Sequence, residues 1–432
     1  MEILNQFASV ECGCGKKHSV SVDDIIVEKG AILRIPEVVS RYGAKRVFVL
    51  ADVNTYAAAG ARVCEILDSA GIAYSRFVFP DEHLEPDDKA IDTATDGYDP
   101  DCDLILGVGS GVINDIGKIL ADRNDKPYII FGTAPSMDGY ASATSSMAIA
   151  GLKVSMNSKC ASVIMADTDI LRNAPKRLLQ AGLGDMLAKY VAVCEWRIAS
   201  VVVGEYYCPR IAELILSALK KCVDNAEGLL RREEDAVIAV FEGLVIGGIA
   251  MSMAGCSRPA SGVEHYYSHV WDMRGLAFGT PIDLHGIQCA IGTRLAIEKY
   301  EQIKTVTPDR ESALDHAARF DFQEWSEKLR SFIGGGAEAM IALEAKEHKY
   351  DTALHAKRLE VIIENWDKIL ELISTLPSKA EIDRILDVIE APKDVSEIGI
   401  DPSILPMTFA ATKDIRDKYV LSRLFWDLGV QD

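Results

Sequence analysis

The feature that constrains this chain most is a strand that runs straight into a glycine-rich helix start. Asp103-Leu104-Ile105-Leu106-Gly107 reads as a buried strand, and Val108-Gly109-Ser110-Gly111-Val112-Ile113-Asn114-Asp115-Ile116-Gly117-Lys118 follows without a break. Glycines 107, 109 and 111 between a strand and a helix let backbone N–H groups approach a pyrophosphate at the helix N-terminus. The spacing is not the Gly-x-Gly-x-x-Gly of a first strand, because several elements precede it. What it asks for is an α/β layer, with apolar strands covered on both faces by helices.

The flanking residues keep that rhythm. Asp24–Glu28, Arg46–Leu50, Tyr74–Phe79 and Pro127–Phe131 read as strands, and Ala31–Tyr42, Tyr56–Ala70 and Asp81–Asp96 as helices. Met147–Val154 and Ala161–Met165 read as a β-hairpin, and Asp167-Thr168-Asp169 with Pro175 closes the domain. From Lys176 the pattern becomes helical: Ala188–Ser200, Pro209–Val223, Glu233–Ser252, Gly286–Tyr300, Phe320–Phe332, Ala337–Leu343, His355–Leu376, Lys379–Leu386 and Pro406–Gly429. Glu301–Asp315 reads as a polar connection. The 432 residues are too many for one ordinary core. The expected organisation is an α/β nucleotide-binding domain over 1–178 and an all-α domain over 179–432.

Asp52 stands at the carboxyl end of the Arg46–Leu50 strand. There it either hydrogen-bonds an adenosine ribose, favouring NAD over NADP, or caps the next helix. The loop Gly132-Thr133-Ala134-Pro135-Ser136-Met137-Asp138-Gly139-Tyr140-Ala141-Ser142 is rich in hydroxyls and turn formers. Ser136 and Ser142 suit cofactor phosphate or amide groups, and Asp138 suits a substrate hydroxyl. A self-capping turn is the plain alternative.

Three segments answer one another in the helical half: Gly182–Tyr190, Ser261–His269 and Asp283–Gly286. Asp185, His265 and His285 read as ligands of one divalent cation, a set that suits Zn, Ni or Fe and leaves positions open. Singly, each has a structural reading, a helix cap for Asp185 and a satisfied residue for each histidine. Three of the eight histidines fall between 265 and 285, however. His265 and His269 are four apart and share a helix face, so one can ligate while the other supports the site or touches substrate.

Cys12-Gly13-Cys14-Gly15-Lys16-Lys17-His18 offers two thiols and an imidazole, half a zinc site. No second Cys/His pair follows at finger-like spacing, so it reads as a glycine-rich turn with reduced thiols. The net charge of −19 and the lack of a long Lys/Arg run argue against nucleic acid. An acidic protein that handles an anionic substrate gains local positive charge from a metal ion. The start of the sequence has no basic stretch before an apolar one, and no uninterrupted apolar run reaches about 18 residues. With ten cysteines read as thiols, a cytoplasmic enzyme without a membrane span is expected.

Taken together, these motifs resemble the iron-containing alcohol dehydrogenase and dehydroquinate synthase-like superfamily, and within it the sn-glycerol-1-phosphate dehydrogenases, especially the bacterial branch. The resemblance is carried by Cys12–Gly15, Gly109–Asp115, Thr133–Gly139, Gly182–Lys189, Ser261–His265 and His285-Gly286. It implies a divalent metal on Asp185, His265 and His285. It implies NAD, with NADP possible as well, held by Asp52, by Gly109, Gly111, Val112, Ile113, Asn114 and Asp115, and by Thr133, Ala134, Pro135, Ser136 and Ser142. It places Asp138, Asp185 and His269 beside the substrate, with Asp185 and His269 catalytic, and it implies a homodimer or larger assembly. It sets the Cys12–Gly15 stretch remote from the active site. Met137 stands where the archaeal branch often has His, and helical sequence around 301–400 looks added. The implied reaction interconverts dihydroxyacetone phosphate and sn-glycerol 1-phosphate. A glycerol or polyol dehydrogenase acting on an unphosphorylated substrate is the nearer alternative. A dehydroquinate-synthase-like lyase, expected to carry Glu in place of Asp185, and a non-catalytic NAD sensor with a vacant metal site stand further off.

Overall fold

The computed structural model describes residues 12–149 and 152–430. The chain forms two compact units. One comprises the residues through Met186 together with Glu213–Cys256, and the other comprises Leu187–Ala212 with Ser257 onward. The sequence reading draws its single boundary near residue 178. The helix Lys176–Val202 is continuous across the division.

The first unit holds strands β1 (Asp24–Glu28), β2 (Arg46–Asp52), β3 (Ala73–Phe79), β4 (Leu104–Gly109), β5 (Tyr128–Gly132), β6 (Thr144–Ile149), β7 (Leu152–Asn157) and β8 (Val163–Asp167). Six of them form one sheet in the order β1-β8-β5-β4-β2-β3, and every pair in it is parallel. Alternate residues of neighbouring strands stack into one apolar layer: Val47 and Val49, Leu104 and Leu106, Ile129 and Phe131, Val163 and Met165. The helices Ile35–Arg41 and Ala61–Ser69 cover this face through Val38, Val39, Val63 and Leu67. Each such side chain withdrawn from water contributes about 1.5–3 kcal/mol, which is why continuous apolar strands settle between helices.

Four local readings change. The β-hairpin is β6 with β7, antiparallel, whereas the Ala161–Met165 segment supplies β8 of the main sheet, between β1 and β5. An apolar run of that length serves a buried parallel strand as well as a hairpin, and only pairing decides. The region Glu301–Asp315 is largely helical: His285–Ile303 ends in it, and Arg310–Ala318 begins in it. Asp309 caps the second of these, its carboxylate accepting from Ser312 N at 3.1 Å, and Ala313 and Ala317 are its buried residues. The Pro406–Gly429 pattern divides into Leu405–Thr412 and Leu421–Asp427, and His355–Leu376 breaks near Asn365.

The helix Glu234–Ala254 is long and apolar enough by composition to cross a membrane, but 78% of that stretch is buried inside the protein. Its apolar residues are used in packing. The backbone of the loop after β5 lies against Gly248, where an added Cβ would meet Ala141 N and Asp138 O at 2.9 Å. From the Lys176–Val202 helix, Gly182 approaches the same loop so closely that a Cβ would fall 1.9 Å from Pro135 O.

That contact is backbone against backbone and has no slack. Gly182→Ala should therefore destabilise the first unit by about 1–3 kcal/mol in urea denaturation. Gly335→Ala, whose added methyl meets nothing within 4 Å, should not do so for steric reasons.

Candidate active site

Between β2 and β4 the chain order reverses: β3 lies on the far side of β2, and the chain then returns to form β4 against its other edge. In open parallel sheets the crevice outside the carboxyl ends of such a strand pair is where nucleotides bind. Asp52 is the last residue of β2. Its carboxylate accepts from Thr55 N at 2.8 Å, and Thr55 Oγ1 accepts from Asp52 N at 3.0 Å, a capping box. Asp52 thus stands at the switch point and also caps a helix, so the two sequence readings are compatible.

Gly109 ends β4, and Gly111, Val112, Ile113, Asn114 and Asp115 form the first turn and a half of the helix Gly111–Arg123. Ser110 does not cap this helix with its side chain. Its hydroxyl bonds Ser136 Oγ and accepts from Tyr140 OH. The first-turn N–H groups are consequently not taken by Ser110. An added Cβ at Gly111 would come within 3.1 Å of Met137 Cγ, so the glycine lets the loop close over the helix start.

The loop residues Thr133, Ala134, Pro135, Ser136, Asp138 and Ser142 follow β5. Thr133 N donates to Gly109 O at 3.0 Å, and Asn114 Nδ2 and Lys118 Nζ both donate to Gly139 O, at 3.0 and 3.3 Å. Lys118 is fully buried and pairs with Asp115 at 3.0 Å. Asn114 Oδ1 is buried with no protein donor, an acceptor suited to a ligand N–H or O–H. Ser142 Oγ bonds Thr144 Oγ1 at 2.9 Å. Asp138 N donates to Asp185 Oδ2 at 2.9 Å, so the first unit brings the Asp138 loop to the Asp185 carboxylate. Sequence reasoning missed Lys118, although its spacing from Asp115 signals a helical pair.

The second unit gathers the imidazoles. His265 and His269 stand one turn apart on Val263–Phe278, and His285 begins His285–Ile303. The ring centroids of His265 and His285 are 5.0 Å apart, and those of His269 and His285 are 6.2 Å apart. The two helices meet closely at Gly292, where a Cβ would lie 2.4 Å from Glu264 O. His265 Nδ1 meets Glu264 Oε1 at 2.9 Å, and His285 Nδ1 meets Ser268 Oγ at 3.1 Å. Such bonds set ring orientation and tautomer in metal-binding histidines.

Cys289, one turn beyond His285, brings Sγ to 3.5 Å from His285 Nε2. The ligand atoms of His265, His285 and Cys289 all lie within 4.8 Å of one another. Burial pushes the Cys289 thiol up, but the adjacent imidazoles outweigh it and leave the thiol below its ordinary range. The His285-x-x-x-Cys289 spacing was visible in the sequence and signals a shared helix face. Two imidazoles in a buried cluster fit a borderline divalent ion.

Behind this cluster lie two buried carboxylates. Glu264 also accepts from Gly262 N at 2.6 Å. Glu195 accepts from Val263 N at 3.0 Å and from Leu421 N at 2.8 Å. An added Cβ at Gly262 would touch both carboxylates, at 2.6 and 2.7 Å. Neither glutamate stands in a sequence pattern that announces the role, because the pairing spans distant segments.

The class follows from comparison with known proteins. Residues 26–175 match the family model described as "Iron-containing alcohol dehydrogenase". Solved structures with the same fold include a 1,3-propanediol oxidoreductase, at TM-score 0.62 and 15% identity over 95% of this chain and 98% of that one. Another is the glycerol dehydrogenase of Schizosaccharomyces pombe, at TM-score 0.54 and 20% identity over 85% and 89%. Among curated relatives, the glycerol-1-phosphate dehydrogenase [NAD(P)+] of Methanosarcina mazei is 34% identical over 62% of this chain and 74% of its own length. That of Halalkalibacterium halodurans is 28% identical over 95% of this chain and 94% of its own length. The chain belongs to the glycerol-1-phosphate dehydrogenase family.

Burial, and then the Glu264 charge, push the Glu195 carboxyl up to about 8. An acid whose folded pKa exceeds its unfolded one stabilises the fold below the unfolded value and loses that contribution as pH rises through the folded value. Stability in thermal unfolding should decline from about pH 5 to about pH 8. Glu195→Gln keeps one of the two acceptor oxygens, so it should lower stability at all pH values yet flatten that slope.

Proposed function

We propose that this chain transfers hydride between NAD(P)H and dihydroxyacetone phosphate, yielding sn-glycerol 1-phosphate, and runs the reverse reaction. The observation that carries the reading is the close pairing of the buried His265 with the half-buried His285, ring centroids 5.0 Å apart, in a chain whose curated relatives are glycerol-1-phosphate dehydrogenases. Asp185 is the carboxylate we assign to the same ion. Its support is that Asp185 and Glu195 ride on one unbroken helix, and Glu195 holds the backbone two residues before His265. A divalent ion bound by these residues supplies Lewis-acid stabilisation to a developing alkoxide.

The chain's own groups do the positioning. The Gly111–Asp115 helix start offers N–H groups to the cofactor pyrophosphate, and Asp52 faces its ribose. Thr133, Ala134, Pro135, Ser136 and Ser142 line the nicotinamide side, and Asp138 holds a substrate hydroxyl. His269, beside His285, holds a substrate hydroxyl or carries a proton, roles that suit an imidazole. Orientation of this kind accounts for much of a hydride-transfer rate. None of the ten cysteines is disulfide-bonded, which supports the cytoplasm as the working compartment. Leu276, Phe278 and Ile282 are 45%, 50% and 48% exposed, apolar surface that supports a homo-oligomer.

The test is NADH oxidation followed optically on chelator-treated protein re-supplied with Zn, Ni or Fe. Dihydroxyacetone phosphate is compared with dihydroxyacetone. Strong preference for the phosphorylated ketone, restored by one ion, is the expected result. Equal or reversed preference moves the chain to polyol substrates. His265→Ala and His285→Ala should each lose bound metal and lower kcat/KM by about 100- to 1000-fold, and full activity in either variant after metal stripping sinks the assignment.

A further inference from the structure

We propose that Cys12, Cys14 and His18 form a second, structural metal site for a borderline-soft divalent ion such as zinc, separate from the active-site set. Their ligand atoms lie within 4.8 Å of one another. Cys14 Sγ stands 3.2 Å from His18 Nε2. Zn–S bonds of about 2.3 Å and Zn–N bonds of about 2.0 Å meeting tetrahedrally set an S···N edge of about 3.5 Å, close to that spacing.

The histidine is held in the form a metal needs. His18 Nδ1 lies 2.8 Å from Met253 O. A carbonyl oxygen only accepts, so Nδ1 carries the proton and the Nε2 lone pair faces Cys14. The same polarisation of a ligating imidazole by a carbonyl is common at zinc sites. Met253 is the second-last residue of Glu234–Ala254, where helical carbonyls lack intrahelical donors. The thiols are brought together by a turn in which Gly15 N donates to Cys12 O at 3.3 Å with Gly15 at φ +80°. One shared ion would engage all three side chains at once. Two thiolates and a neutral imidazole balance a doubly charged cation, and the fourth position goes to water or to another cysteine of the chain.

The consequence is a cross-link. The ion ties the Cys12–His18 turn to the C-terminal end of the helix whose Gly247 and Gly248 seat the Asp138 loop. The site is therefore expected to support the position of the loop rather than the chemistry itself.

The test uses full-length protein. Native wild-type protein is alkylated with and without zinc after chelation, and each cysteine is followed by peptide mass spectrometry. Zinc should slow modification of Cys12 and Cys14 together by about tenfold or more. The same protection should persist in His285→Ala, which removes a ligand from the other cluster. Any further cysteine protected in that variant identifies the fourth ligand. The double variant Cys12→Ser with Cys14→Ser should bind about one ion fewer per chain by elemental analysis and unfold at a lower temperature. Equal alkylation rates with and without zinc, or unchanged metal content in the double variant, overturn the proposal. The alkylation arm holds even if the variant fails to fold.

Discussion

The second unit depends on how the wholly buried Glu264 carboxylate is used. One of its oxygens accepts from Gly262 N and meets His265 Nδ1, so a single group sets both the entry to the Val263–Phe278 helix and the orientation of an imidazole. A buried charge is tolerable only when hydrogen bonds replace its water. The price of placing Glu195 nearby is a carboxyl that burial and the Glu264 charge keep from ionising easily. Gly262 between them and Gly292 behind them exist because nothing larger fits. The result is a rigid cradle that presents His265, His285 and Cys289 on two helices instead of on a mobile loop, as a positioned site requires.

The first unit solves a different problem. Its parallel sheet hides apolar strands from water and leaves polar groups only at the strand ends. The reversal between β2 and β4 opens the crevice where those ends are accessible. The loop after β5 is then pressed against the helix start by Gly111, against Lys176–Val202 by Gly182 and against Glu234–Ala254 by Gly248. Three close approaches leave the loop little freedom. The loop in turn donates Asp138 N to the Asp185 carboxylate, which couples the nucleotide side of the unit to the residue assigned to the metal.

The legible parts of this chain were those with local signals. Apolar runs ending at Asp52 and Gly109, a glycine turn, and a spacing of four between His265 and His269 all report geometry within one element. The fold class follows from them. The illegible parts depend on partners distant in sequence. Ala161–Met165 could not be told from a hairpin strand until β1 and β5 flanked it. The polar stretch after Tyr300 hid a helix because only Ala313 and Ala317 of it are buried.

The sequence by itself determined an α/β half with a glycine-rich strand-to-helix turn, a helical half, and which carboxylates, imidazoles and thiols were available for chemistry. Only the tertiary structure decided their company: Glu264 behind His265, Ser268 on His285, Cys289 within reach of both imidazoles, and the Met253 carbonyl on His18. The physical reason is that periodicity records which face of an element avoids water. It does not record which side chain from another segment will meet a buried polar atom and satisfy it.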